Sequence, residues 1–163
     1  MVVTFVGAAP AYDDKTLYLR ALTAARRGDT DFAYMDYRFL LREYPNTKYK
    51  DKALLAQAEY TYMVPDYTNA VLMLQAYLAQ YPKSDARLFV LAYLYQIAQA
   101  EKNDELGEQY RKAIIDCKQV SLVFRDRKEY KFQSPLGRKL KAVFAIDSIE
   151  FSANGELLTK ISY

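Results

Sequence analysis

The residue types that usually carry catalytic or metal chemistry are scarce in this sequence. It has no histidine and one cysteine, Cys117. Without histidine, the chain lacks the commonest general base and metal ligand, and it can form no Ser-His or Cys-His nucleophile pair. A lone cysteine forms no internal disulfide and no thiolate zinc cluster, so Cys117 is expected to be a buried structural thiol. Adjacent Asp13 and Asp14 stand at a predicted helix start, where carboxylates are favoured.

Sequence motifs of catalysis are missing as well. The chain contains no glycine-rich phosphate loop, no HExxH pair and no nucleophile elbow. We therefore expect a protein that is not an enzyme and that needs no cofactor.

A basic cluster is the other feature that could carry chemistry. Its members are Arg125, Arg127, Lys128, Lys131, Arg138, Lys139 and Lys141. Lysine and arginine at this density can bind phosphate groups, so an anion- or nucleic-acid-binding module is one hypothesis. A solvated surface of strands and turns explains the same residues. The formal charge of +3 is too small to indicate nucleic acid by itself.

Residues 1–12 are predicted as a separate N-terminal segment, for which two interpretations stay open. The apolar run Val2–Val6 could form a β-strand. Alternatively, Ala9-Pro10-Ala11 has the small-x-small form of a signal-peptidase site, which would make the segment the remnant of a truncated signal. No stretch of the sequence reaches the 18 apolar residues of a membrane span.

Residues 13–120 contain an internal repeat. Pro45 and Pro82 are 37 residues apart, and each follows a tyrosine at the end of an apolar segment. Ala33 and Ala70 are separated by the same 37 residues. Half a unit earlier, two further alanines at positions 21 and 58 have this spacing too. A third, weaker copy continues Ala70 to Gly107. Small residues and prolines in register indicate a repeat architecture.

Each repeat is predicted to form two helices. The apolar residues of the second helix recur at spacings of three and four, and they are Phe32, Met35, Phe39 and Leu40. Pro45 ends this helix near Tyr44, because the residue before a proline is pushed out of the α region. Alanine at 21, 33, 58 and 70 lets two helix backbones approach, and a larger side chain there would cost about 1–3 kcal/mol. One pair cannot bury its own apolar side, so about three units must stack.

This repeat resembles the tetratricopeptide repeat, a unit of about 34 residues. The small residues and the closing proline fall at the family positions, while Leu17, Ala21 and Ala24 replace its usual Trp, Gly and Tyr. The run from Tyr44 to Ala53 is similar to a bacterial branch that includes the lipoproteins of outer-membrane β-barrel assembly and the coordinator of the Tol–Pal system. The resemblance implies a mainly α fold and a location in the periplasm or at the outer membrane, with a cytoplasmic one as the alternative.

The resemblance also implies where a partner would bind. In this family the first helix of each unit lines a concave groove. The corresponding residues here are Lys15, Tyr18, Leu22, Arg26, Lys52, Leu55, Glu59, Tyr62, Met63, Phe89, Gln96 and Gln99. Basic, aromatic and amide groups together suit an extended peptide or protein segment, so the chain is predicted to be an interaction scaffold. Alternatively, these residues pack against neighbouring helices or the C-terminal segment.

Residues 121–163 change to the period-2 pattern of β-strands. The Asn-Gly pair at 154–155 predicts a hairpin, and a three-residue loop would give it one apolar face. That register places Phe151 opposite Leu157 and Ile149 opposite Thr159. We expect a small antiparallel hairpin or a three-stranded sheet, packed on the last helix as a cap.

Overall fold

The computed structural model describes residues 12–122 and 129–163. These residues form six α-helices followed by four β-strands. The helices are α1 (Asp14–Arg26), α2 (Thr30–Glu43), α3 (Lys50–Met63), α4 (Tyr67–Gln80), α5 (Arg87–Ala100) and α6 (Asp104–Leu122). The strands are β1 (Glu129–Gln133), β2 (Lys139–Phe144), β3 (Ser148–Ala153) and β4 (Glu156–Ser162). The predicted N-terminal strand or signal remnant lies outside the described residues, apart from Tyr12.

The helices pair in sequence order into three units: unit 1 is α1 with α2, unit 2 is α3 with α4, and unit 3 is α5 with α6. The prediction of tight contacts at small residues is confirmed, since all four of the alanines are fully buried: Ala21, Ala33, Ala58 and Ala70. Cys117 is half-buried and packs against the core of unit 3, less enclosed than expected.

Proline and short polar side chains set the helix ends as the sequence predicts. α2 ends at Glu43, and Tyr44 before Pro45 leaves the helical region at φ −130°. Asp13 accepts a hydrogen bond from the backbone N–H of Thr16 at 2.6 Å and thereby caps α1. The side chain of Asn103 accepts from the N–H of Leu106 at 3.1 Å and caps α6 in the same way.

The predicted apolar stripe of α2 is wrong for two of its residues. Phe32 and Met35 are 63% and 64% exposed, whereas the buried residues of α2 are Ala33, Asp36, Tyr37 and Leu40. The small, fully buried Ala33 favours this rotation, because a small side chain allows two helices to pack closely. The largest apolar side chains of α2 therefore do not all face its partner helix.

The C-terminal sheet has four antiparallel strands in the order β1-β2-β3-β4, one more than expected. Its buried residues include Leu140, Ala142, Ile149, Phe151 and Ile161. Among the described residues, the aromatic contacts of the sheet are with α5 rather than with the last helix, since Phe89 of α5 contacts rings of both β1 and β3.

The hairpin of β3 and β4 has a different register from the predicted one. Asn154 and Gly155 form a two-residue turn with φ angles of 52° and 91°, so the predicted three-residue loop is wrong. An irregularity at Phe151 and Ser152 then shifts the pairing, which places Ile149 opposite Ile161. The turn keeps its favoured residues, and the apolar side chains still reach one face. Leu157 is exposed, contrary to the predicted apolar face, and Ser148 is buried.

Candidate protein-interaction site

The sheet covers the side of α3 and α5 that was predicted to be an open groove. We call the surface of α1, α3 and α5 that faces the sheet and its β1–β2 turn the inner side. On α5, Phe89 stacks on Tyr130 and Phe132 with ring centroids 5.8 Å away, and it meets Phe151 edge-on. Further along the helix, Gln96 Nε2 donates a hydrogen bond to the carbonyl oxygen of Leu158 at 3.1 Å. The chain's own strands therefore occupy this part of the inner side.

The turn between β1 and β2 extends the covered region to unit 1. Leu136 at the tip is buried in the core that α1, α2 and α3 share. The Tyr37 hydroxyl donates a hydrogen bond to the carbonyl oxygen of Pro135 at 3.2 Å. Gly137 has φ +83° and lies against the backbone of Ala25, where an added Cβ would come within 2.7 Å of the carbonyl oxygen. Glycine is therefore required at this contact.

A buried ion pair joins the β1–β2 turn to α3. Glu59 is fully buried, and its Oε1 accepts a hydrogen bond from the Tyr93 hydroxyl at 2.7 Å. Arg138 Nη1 lies 3.8 Å from the same oxygen and donates to the Tyr93 hydroxyl at 3.0 Å. Burial raises the pKa of the Glu59 carboxyl, while the Tyr93 hydrogen bond and the charge of Arg138 oppose that effect. Breaking this pair would leave a charge in the interior.

Six of the twelve predicted groove residues are buried or contact the chain's own sheet or helices, although Tyr62 and Gln96 are only half-buried and Gln99 is exposed. Leu55, Glu59 and Phe89 are buried, so their prediction as exposed contacts is wrong. The Tyr62 hydroxyl donates to Gln96 Oε1, which engages both side chains beneath the sheet. Gln99 lies over α6, because its Nε2 is 2.8 Å from where a Cβ of Gly107 would stand. The alternative of packing against the C-terminal segment or a neighbouring helix applies to all six.

The other predicted residues remain at least partly exposed. Tyr18 stacks on Tyr49 with centroids 4.0 Å apart, and Leu22 is half-buried one turn further along α1. Lys15 and Arg26, at the two ends of this row, are exposed. Two further residues belong to α3: Met63 is exposed and Lys52 pairs with Asp51 at 3.2 Å.

The basic cluster is partly neutralised where the structure describes it. Arg138 turns inward to Glu59, with its side chain 14% exposed, so its prediction as a surface cation is wrong. Lys131 and Lys141 both pair with Glu129, at 3.1 Å and 3.7 Å. Lys139 is exposed. Arg125, Arg127 and Lys128 lie outside the described residues. The described members do not favour an anion-binding module.

Sequence reasoning missed the residues that fill the inner side. Leu136 was not among the predicted site residues, and Arg138 was assigned to the basic cluster. The available signal was an apolar leucine between Pro135 and Gly137, because a solvated turn has no need of it.

The three stacked hairpins, with small residues at equivalent contacts, define a helical-repeat protein of the tetratricopeptide type. Comparison with known families agrees with this class. The sequence profile of the family YfiO, described as "Outer membrane lipoprotein", matches residues 10–130, which is more than half of the chain. The chain belongs to this family. Strands β2 to β4 lie beyond the matched residues.

Two further findings accompany the family match. The comparison with curated proteins found no significant match to the chain. Within residues 12–122 and 129–163, no helix combines the length and apolar composition required to cross a membrane.

Proposed function

We propose that the protein is a non-enzymatic scaffold of outer-membrane assembly that binds an extended segment of a protein partner along the inner side of α1. Membership of a family of outer membrane lipoproteins supports a place in the periplasm beside that membrane. The bound segment would lie along a row of four residues: Lys15, Tyr18, Leu22 and Arg26.

The observation that carries this proposal is that the inner side already binds the sheet and the β1–β2 turn of its own chain. On the inner side, Gln96 of α5 donates to the backbone carbonyl of Leu158 at 3.1 Å, and beneath the β1–β2 turn the buried Tyr37 of α2 donates to that of Pro135 at 3.2 Å. Backbone carbonyls are present in every sequence, so this mode of recognition is not confined to one partner. α1 continues the surface beyond the β1–β2 turn with partly exposed side chains.

The spacing of the row indicates the length of the partner segment, and its side-chain types indicate the composition of that segment. Lys15 and Arg26 are 11 residues apart on one helix, a distance of about 16 Å. An extended segment of about five residues spans the same length. Tyr18 and Leu22 between them offer an aromatic and an aliphatic surface. We expect a segment with an acidic residue near each end and apolar residues in its centre.

Fluorescence anisotropy with labelled synthetic pentapeptides tests this proposal. One peptide carries Asp at both ends around an aromatic centre, and the other carries Lys at both ends. We expect the acidic peptide to bind, and Tyr18→Ala or Arg26→Ala to weaken binding by about tenfold, which corresponds to about 1.4 kcal/mol.

The control is Lys112→Ala, which removes a similar charge from the exposed side of α6. It should leave binding unchanged, and circular dichroism should report intact helices in all variants. Equal binding of the two peptides, or equal binding by wild type and Arg26→Ala, would contradict the proposal.

A further inference from the structure

The side of unit 1 that faces away from unit 2 carries exposed apolar residues. We call it the end face. Its centre is a cleft of about 590 Å³, and six of the residues that line it are Leu19, Thr23, Ala24, Arg27, Asp29 and Phe32. Leu19 is 46% exposed and Phe32 is 63% exposed. Two large apolar side chains therefore meet solvent on the first unit of the array.

The equivalent face of unit 2 shows which kind of element packs at this position of the repeat. At the 37-residue offset, Leu19 corresponds to Ala56 and Thr23 to Tyr60. Ala56 is fully buried in the core that units 1 and 2 share. Tyr60 stacks on Tyr34 of α2, with centroids 3.9 Å apart, and donates a hydrogen bond to an α2 carboxylate. In unit 2, a helix of the preceding unit covers the corresponding face.

At the other end of the array, the described outer surface of unit 3 carries polar residues. The exposed side chains of α6 include Glu105, Glu108, Gln109, Lys112 and Asp116. Terminal units of repeat arrays have polar outer surfaces, because no further unit covers them. The described part of unit 3 fits this rule, whereas the end face of unit 1 exposes Leu19 and Phe32 beside polar residues that include the Arg20–Asp36 ion pair.

We propose that an amphipathic helix of a partner protein stacks on the end face, in the place that α2 holds on unit 2. Its apolar stripe covers Leu19 and Phe32. A large side chain of the partner enters the cleft above Thr23, where the smaller residue leaves the space that Tyr60 fills in the next unit.

Two charged residues at the edge of the cleft indicate which charges the partner helix carries. Arg27 forms no ion pair with another described residue, and the side chain of Asp29 makes no capping hydrogen bond to α2. The partner helix places an acidic residue opposite Arg27 and a basic residue opposite Asp29, beside its apolar stripe. This surface is distinct from the row on α1 that binds an extended segment.

Photo-crosslinking in the native host tests the proposal. p-Benzoylphenylalanine replaces Phe32 in the full chain, and Leu72, which is 62% exposed on α4, in a control chain. We expect the probe at 32 to crosslink one partner protein and the probe at 72 not to do so. The crosslinked segment, mapped by mass spectrometry, should carry apolar residues at spacings of three and four.

A synthetic peptide of that segment then provides a binding measurement with purified protein. We expect Leu19→Asp and Phe32→Asp each to weaken binding at least tenfold, and Leu72→Asp to leave it unchanged. Arg26→Ala should also leave it unchanged, which separates this proposal from the one for α1. Crosslinks to a second copy of the chain, to its own residues 1–11, to a segment without helical spacing, or to nothing would overturn the proposal. Equal binding by Leu19→Asp would do so too.

Discussion

Units 1 and 3 are built from the same repeat and are covered differently. In unit 3, Phe89 on the inner side is buried beneath the sheet, and the exposed residues of α6 are polar over the part whose side chains the structure describes. In unit 1, the β1–β2 turn covers part of the inner side, while Leu19 and Phe32 remain exposed at the end face. A repeat unit needs neighbours to bury its apolar surface. The sheet serves as that neighbour for unit 3, whereas unit 1 retains accessible apolar surface.

The family match covers all six helices but little of the sheet that covers unit 3. The matched residues end at 130, shortly after β1 begins, so most of the sheet lies beyond them. Residues at family groove positions on α3 and α5 contact the chain's own sheet here. We infer that the covered inner side of unit 3 contributes to stability. We infer also that partner proteins bind at the more open unit 1.

The largest expected effect comes from removing the aromatic contact between unit 3 and the sheet. Phe89→Ala deletes a buried ring that contacts three aromatic rings of β1 and β3. We expect the free energy of unfolding to fall by about 3–5 kcal/mol, as for other buried Phe→Ala changes. Chemical denaturation followed by circular dichroism measures it.

Phe32→Ala in unit 1 is the matched control. Its ring is 63% exposed in the isolated chain, so we expect a change within about 0.5 kcal/mol. Similar losses for the two variants would contradict the contrast between a covered unit and an open one.

The second effect concerns the ion pair under the sheet. Arg138→Met removes the cation beside the buried Glu59, and we expect a loss of about 3 kcal/mol, because an uncompensated charge then stays in the interior. The double variant Arg138→Met with Glu59→Gln should recover at least about 1 kcal/mol of that loss. Additive losses in a double-mutant cycle would show that the two side chains are not coupled.

The repeat itself could be predicted from the sequence because local rules and packing agree there. Alanine at equivalent positions identifies the close helix contacts, and a Tyr-Pro pair marks the helix ends at Pro45 and Pro82. The rotation of α2 was harder to predict, since apolar spacing favoured Phe32 and Met35 equally with the residues that are buried.

The covering of the groove depends on contacts between residues far apart in the chain. Nothing near Glu59 in the sequence indicates that Arg138 will reach it, and a family position alone predicts an open groove. The β3–β4 register likewise combines a two-residue turn with a later irregularity, whereas a regular three-residue loop was predicted from the sequence.

A third prediction tests whether the β1–β2 turn is pressed against unit 1. Gly137→Ala adds a Cβ 2.7 Å from the carbonyl oxygen of Ala25, at a φ of +83°. We expect a loss of about 2–3 kcal/mol from backbone strain and this contact together. Gly155→Ala is the control, because φ is +91° there and nothing lies within 4 Å of the new methyl group. It should cost about 1 kcal/mol, the strain alone. If the two losses are equal, the turn does not press on α1.

The last prediction is a pH dependence of stability that arises from Glu59 in the covered region. The raised pKa of Glu59 means that the folded state keeps this proton to higher pH than the unfolded chain, whose ordinary value is 4.5. The free energy of unfolding of wild type, minus that of Glu59→Gln, should therefore fall as the pH rises above 4.5 and level off above the raised pKa. One proton limits the slope to about 1.4 kcal/mol per pH unit. Denaturant titrations of both proteins between about pH 4 and 8 measure this difference. A difference that rises with pH would mean that Arg138 and Tyr93 outweigh burial, so that the sheet stabilises the charged carboxylate.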